Sequence, residues 1–146
     1  MIKPVVEAMG FSVVELRVGR SRRLSHVTLV VYRASGLDAD DLSKINRIIR
    51  PHLEAMKELE YLAFVVSSPG LGRKIKSREE YAIFRGRGVK ILLKDHSDWI
   101  GGVIEGADNK SLRLSTPQGK VEMDMENIRN AKLDHTQDEG NLNYVR

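Results

Sequence analysis

The chain has 146 residues, 41% of them apolar, no cysteine, and a formal net charge of +4. That length holds one ordinary domain or two small ones, and the absence of thiols excludes disulfides, thiolate metal sites and a cysteine nucleophile. No run approaches the roughly 18 apolar residues of a membrane span, and the first residues lack the pattern of a secretory signal, so a soluble, cytoplasmic protein is expected.

Residues 2–9 read as a short amphipathic helix, with Pro4 tolerated in its first turn and Gly10 ending it. Segments 11–18 and 27–33 are rich in β-branched residues and predict a hairpin joined by a broad, exposed polar loop. Asp38 predicts a helix cap, followed by Asp40 and Asp41 where the helix dipole favours negative charge. Leu42, Ile45, Ile49, Leu53 and Met56 then recur at helical spacing, and Pro51 predicts a kink or a new turn. Residues 61–67 are apolar on both parities and predict a strand buried on both faces. Pro69 and Gly70 predict the middle of a type II turn that ends it and sends Arg73 outward.

Segment 77–84 is charged, with a turn or two of helix, and is expected to link two domains. Beyond it, five short apolar segments (89–93, 99–105, 111–115, 120–125 and 128–133) are separated by turn residues, as in a small antiparallel barrel. Gly86, Gly88, Gly101 and Gly102 suit its bends. The expected fold is therefore α+β with two small domains: an αββαβ domain over 1–75, a basic linker over 76–84, a five-stranded SH3-like or Sm-like barrel over 85–135, and a mobile tail over 136–146.

Charge sharpens this division. Residues 1–75 carry 12 Lys+Arg against 8 Asp+Glu, a net of +4, whereas residues 76–146 carry 12 of each. Arg17, Arg20, Arg22 and Arg23 crowd the hairpin. Arg73, Lys74, Lys76, Arg78, Arg85, Arg87 and Lys90 crowd the segment after Gly70, relieved only by Glu79 and Glu80. Two such clusters suit a polyanionic partner, although charge of this size also serves solubility alone.

Catalytic chemistry finds little support. His26, His52, His96 and His135 fall in different elements without the spacing of a metal site, and Asp38, Asp40 and Asp41 are explained by helix capping. Ser67 and Ser68 lie beside no local base and outside a Gly-x-Ser-x-Gly elbow. Gly70 and Gly72 do not form a phosphate loop. No catalytic residue, metal or cofactor is expected. For stacking on unpaired bases, Tyr81 and Trp99 are the better candidates, while Phe64 and Phe84 belong in the core.

The run Val66-Ser67-Ser68-Pro69-Gly70-Leu71, with Arg73 behind it, resembles the signature of the RimP family of ribosome maturation factors, in which the hexapeptide is normally followed by Asp-Arg-Pro. Gly72 stands in place of that Asp and Lys74 in place of that Pro. The Gly-Leu-Asp-Ala-Asp-Asp opening of the central helix and the block 86–133 are also similar to the family. The resemblance implies a non-enzymatic factor that binds the free small ribosomal subunit and leaves before translation. Its partners would be rRNA and a ribosomal protein near the decoding region. A basic adaptor on a large particle can work as a monomer, which is the expected state. Arg20, Arg22, Arg23, Ser67, Ser68, Pro69, Gly70, Arg73, Lys74, Lys76, Arg85 and Arg87 are the expected RNA or subunit contacts, and Trp99 and Ile100 the expected protein contacts. The alternative is a general Sm-like or SH3-like adaptor for another RNA or protein.

Overall fold

A computed structural model describes residues 1–138 and divides the chain into two compact units, Met1–Pro69 and Gly70–Arg146. In the first, α1 (Ile2–Ala8) leads through Gly10, at φ +94°, into β1 (Ser12–Ser21), β2 (Leu24–Tyr32), α2 (Ala39–Glu54) and β3 (Leu62–Ser67). The sheet order is β1-β2-β3; β1 pairs antiparallel with β2, and β3 parallel to β2, with α2 as the crossover. Ile45, Ile49 and Leu53, four residues apart on α2, pack with Val6, Phe11, Val27, Leu29, Val31 and Phe64. Four-residue spacing places the three on one stripe, which is why this face of the helix is core.

Helix α2 starts as its sequence predicts. The Asp38 carboxylate accepts from Asp41 N–H at 2.9 Å, and the Asp41 carboxylate accepts from Asp38 N–H at 3.0 Å, a reciprocal capping box. Arg33 adds a 2.9 Å bond to Asp41. At the other end the helix runs through Pro51 to Glu54. Ala55 N–H still reaches the Pro51 carbonyl, so the proline removes one donor in the last turn and starts no new element.

Three expectations for this unit change. The hairpin loop is not broad: Ser21 pairs with Leu24, leaving Arg22 and Arg23 as a two-residue turn with Arg22 at φ +59°. Strand β3 is not buried on both faces, because it is an edge strand whose Val65 is 56% exposed while Phe64 is buried. Gly70 does not take a positive φ; the turn lies two residues later, closed by Arg73 N–H to Gly70 O at 3.1 Å, with Leu71 and Gly72 at its centre.

The second unit holds α3 (Glu79–Ile83), β4 (Gly88–Leu93), β5 (Ile100–Ala107), β6 (Ser111–Thr116), β7 (Gly119–Asp124) and β8 (Ile128–Leu133). These strands form one antiparallel sheet in the order β7-β6-β5-β4-β8. Alternation along them turns Val89, Ile91, Leu112, Leu114, Ala131 and Leu133 inward, where they are buried with Phe84 and Ile104. Among the described residues no ladder joins β7 to β8, so the five expected strands are present as an antiparallel sheet that is not closed. The segment around Lys74 pairs with the outer edge of β8: Ile75 N–H bonds Ala131 O, and Leu133 N–H bonds Arg73 O, both at 2.9 Å.

The segment expected as a linker, 76–84, therefore lies inside the second unit, with Glu80, Tyr81 and Phe84 buried. The start of the expected mobile tail is also built in. A 3-10 turn at His135–Gln137 is capped by Asp134, and the Asp138 carboxylate accepts from Gly88 N–H and from Arg87. The rest of that segment, 139–146, lies outside the described residues.

Candidate nucleic-acid interface

The chemistry of the second unit starts from the parity of its first residues. Arg73 and Ile75 point inward and Lys74 and Lys76 outward, because 73–75 runs as an extended edge on β8. Arg73 meets Glu80, whose side chain is 2% exposed. Its Nε lies 3.0 Å from Oε1 and its terminal nitrogen 3.2 Å from Oε2. Oε2 also accepts from the N–H groups of Lys76 and Ser77, each at 3.2 Å, and from the Ser77 hydroxyl at 3.4 Å. A carboxylate this enclosed is tolerated because every approach to it is a donor. Tyr81, next on α3, has its phenol pushed up to about 12, first by burial and then by the Glu80 charge.

A basic rim lies beside the clamp at Glu80. Lys74, Lys76 and Arg78 line a cleft of about 470 Å³ together with Lys94 from the end of β4 and Arg129 from β8, and Glu126 is its one acidic lining residue. Asn130 lies in the same wall, with its side-chain oxygen enclosed and without a hydrogen-bond partner. Arg78 reaches across to Asn109 O at 3.0 Å. Cations set around a concave surface with low-dielectric walls focus positive potential into it, which attracts phosphate.

The expected contacts separate accordingly. Lys74 and Lys76 are brought together in the cleft, whereas Arg73 is turned inward onto Glu80, its side chain 9% exposed. Arg85 lies on another shallow depression, with Gly86, Val103 and Glu105. Arg87 is 3.4 Å from the Asp138 carboxylate. In the first unit Arg22 and Arg23 form the exposed tip of the hairpin, and the Arg20 guanidinium bonds the Glu58 carbonyl. Ser67 ends β3 opposite Val30, and Ser68, Pro69 and Gly70 follow without regular structure, up to the boundary between the units.

Aromatic candidates separate as well. Tyr81 lines the cleft but is only 5% exposed, and Phe64 and Phe84 are buried. Trp99 is 38% exposed, and the ammonium groups of Lys90 and Lys132 lie 5.3 and 5.7 Å from its ring. Ile100 is half-buried and pairs with Ile91. Among the described residues no group of His, Cys, Asp or Glu is arranged to hold a metal ion, and no helix is long and apolar enough to cross a membrane.

Sequence reading missed Arg78 as a cleft residue, and Lys94 and Arg129 altogether. Arg129 shares its strand parity with the buried Ala131 and Leu133, so alternation would have turned it inward. Lys94 follows the last residue of β4, beyond the irregularity at Leu92/Leu93. Neither has a local sequence signal; the sheet alone joins them to Lys74.

A family model described as the RimP N-terminal domain matches residues 1–72. Among curated relatives, the ribosome maturation factor RimP of Borrelia recurrentis (strain A1) is 32% identical over 134 residues, covering 91% of each chain. The protein of the same name from Borrelia hermsii (strain HS1 / DAH) is 30% identical over 133 residues, again 91% of each. That of Borreliella burgdorferi (strain ZS7) is 29% identical over 135 residues, 91% of this chain and 90% of its own.

Proposed function

The chain belongs to the RimP family of ribosome maturation factors, and from that membership we propose that it binds the free small ribosomal subunit in the cytoplasm as a non-enzymatic, monomeric assembly factor. The observation that carries the nucleic-acid part of this reading is the cleft, where Lys74, Lys76, Arg78, Lys94 and Arg129 surround a space with one acidic lining residue. Five cations that converge from three separate stretches of chain are a poor arrangement for solubility alone, since their mutual repulsion costs stability that nothing in the fold requires. An RNA backbone relieves it and releases counterions. The Ser67-to-Gly70 run and the hairpin tip at Arg20, Arg22 and Arg23 supply further weak contacts, and several linked weak contacts gain from effective concentration without one large interface. We assign the five-stranded sheet to the SH3-like or Sm-like class of small barrels, with Trp99, Ile100 and their neighbouring edge on its binding surface.

Sucrose-gradient sedimentation of cell extract, with blotting for this protein at low and moderate salt, tests the reading. Migration with free small subunits and not with complete ribosomes is expected, and Lys74→Glu with Arg129→Glu should move the protein toward the top. A wild-type protein at the top under both conditions would overturn subunit binding and favour an adaptor for another RNA.

A further inference from the structure

Lys74, Lys132 and Lys90 stand in one row across three neighbouring strands: Lys74 pairs with Lys132, Lys132 with Lys90, and Lys90 with Gly101. Directly opposed residues project from the same sheet face, where like charges destabilise a pair. Among the described residues no carboxylate lies within ion-pair distance of these three lysines. Asp134, which does feel Lys90, has its carboxylate committed to the Thr136 N–H and hydroxyl at 3.1 and 2.6 Å. What meets the inner two ammonium groups is the Trp99 ring. Trp99 sits two residues before Gly101, over which the Gln137 side chain lies, and 38% of the tryptophan is exposed beside the two ammonium groups.

An open indole backed by two cations and continued by a third lysine has the chemistry of an unpaired nucleotide site. The ring offers a stacking face to any base, cation–π contact stiffens the platform, and the ammonium groups lie where phosphates on either side of a stacked base would pass. We propose that Trp99, with Lys90, Lys132 and Lys74, binds single-stranded RNA by stacking one base on the indole. A protein partner is the less favoured occupant, because a row of three lysines at the centre of a contact would have to be desolvated against acidic groups. This site rests on the ribosome-maturation reading for its RNA; it shares Lys74 with the cleft, which Trp99, Lys90 and Lys132 do not line.

Trp99 is the single tryptophan of the chain, so its emission reports this site in the intact protein. Titration with a short oligouridylate at low salt is expected to quench it saturably. Lys90→Gln and Lys132→Gln should each lower the slope of log affinity against log salt by about one. Trp99→Leu, followed through the anisotropy of labelled RNA, should weaken binding roughly 5- to 150-fold. Unchanged emission while labelled RNA binds, or undiminished binding by Trp99→Leu, would overturn the site. If no RNA binds while the protein still sediments with small subunits, the stacking site falls and the subunit reading stands. If quenching holds without co-sedimentation, the reverse is true.

Discussion

The guanidinium of Arg73 and the carboxylate of Glu80, seven residues apart, face each other in two parallel hydrogen bonds of 3.0 and 3.2 Å inside the second unit. Removing one member of a buried pair leaves the other as an uncompensated charge, which costs about 3–5 kcal/mol. Glu80→Ala should lose that much stability in urea unfolding followed by Trp99 emission, since Trp99 lies in the same unit. The double change Arg73→Met with Glu80→Leu should recover most of it. A loss below about 1 kcal/mol for Glu80→Ala would mean that the pair is solvated.

The two glycines at 72 and 88 should respond in opposite directions. A Cβ on Gly72 meets nothing within 4 Å, and its φ is not in the left-handed region. Gly72→Asp, which restores the residue usual in the family at this position, should leave stability unchanged or raise it by about 0.4–1 kcal/mol through the unfolded chain. A Cβ on Gly88 would run into the Asp134 carbonyl oxygen, so Gly88→Ala should cost about 1–3 kcal/mol. Thermal unfolding of both variants by circular dichroism checks the pair.

Arg22 holds a left-handed backbone at the tip of the first hairpin, a conformation that costs a residue with a Cβ roughly 1–2 kcal/mol relative to glycine. Arg22→Gly should therefore stabilise the hairpin while removing a cation, so thermal stability rises as the salt slope of subunit binding falls by about one. A lower melting temperature would show that the Arg22 side chain contributes contacts that outweigh the strain.

Acid sensitivity should come from the aspartates that cap turns. Asp108 is held below the ordinary carboxylate range, first by the N–H groups of Lys110 and Ser111, each at 2.8 Å. Asp41 is lowered in the same way, first by the Asp38 N–H, with Arg33 adding to it. A depressed folded value gives stability that is fully present above the unfolded value of about 3.9 and is lost as pH falls through the folded one. Urea midpoints read by Trp99 emission should fall below about pH 4, and Asp108→Ala should flatten that fall. An equally steep loss in Asp108→Ala would place the sensitivity elsewhere.

Most of the architecture was legible because its signals are local. The Asp38 cap, the spacing of Ile45, Ile49 and Leu53, and the alternation in β4 to β8 each specify an element within a few residues. The tight hairpin was hidden because Arg22 and Arg23 occupy positions where Asn and Gly usually advertise a two-residue turn. The role of Arg73 was hidden because its partner is defined only once 73–75 has joined β8 and α3 has formed. Signature residues looked like one exposed group, but alternation along an extended edge divides them into an inward arginine and outward lysines. The cleft was the least legible part, since Lys94 and Arg129 meet Lys74 only through strand order.

The pairing of residues 73–75 with β8 bears on how the second unit is to be handled alone. Without that segment the outer edge of β8 presents free N–H and C=O groups, a template for joining another chain. A fragment that begins at residue 85 would thus lose its edge cover together with the whole Arg73–Glu80 pair, and should self-associate. One that begins at Gly70 carries its own cover for that edge, and the same three residues that present lysine to solvent should weaken association through β8.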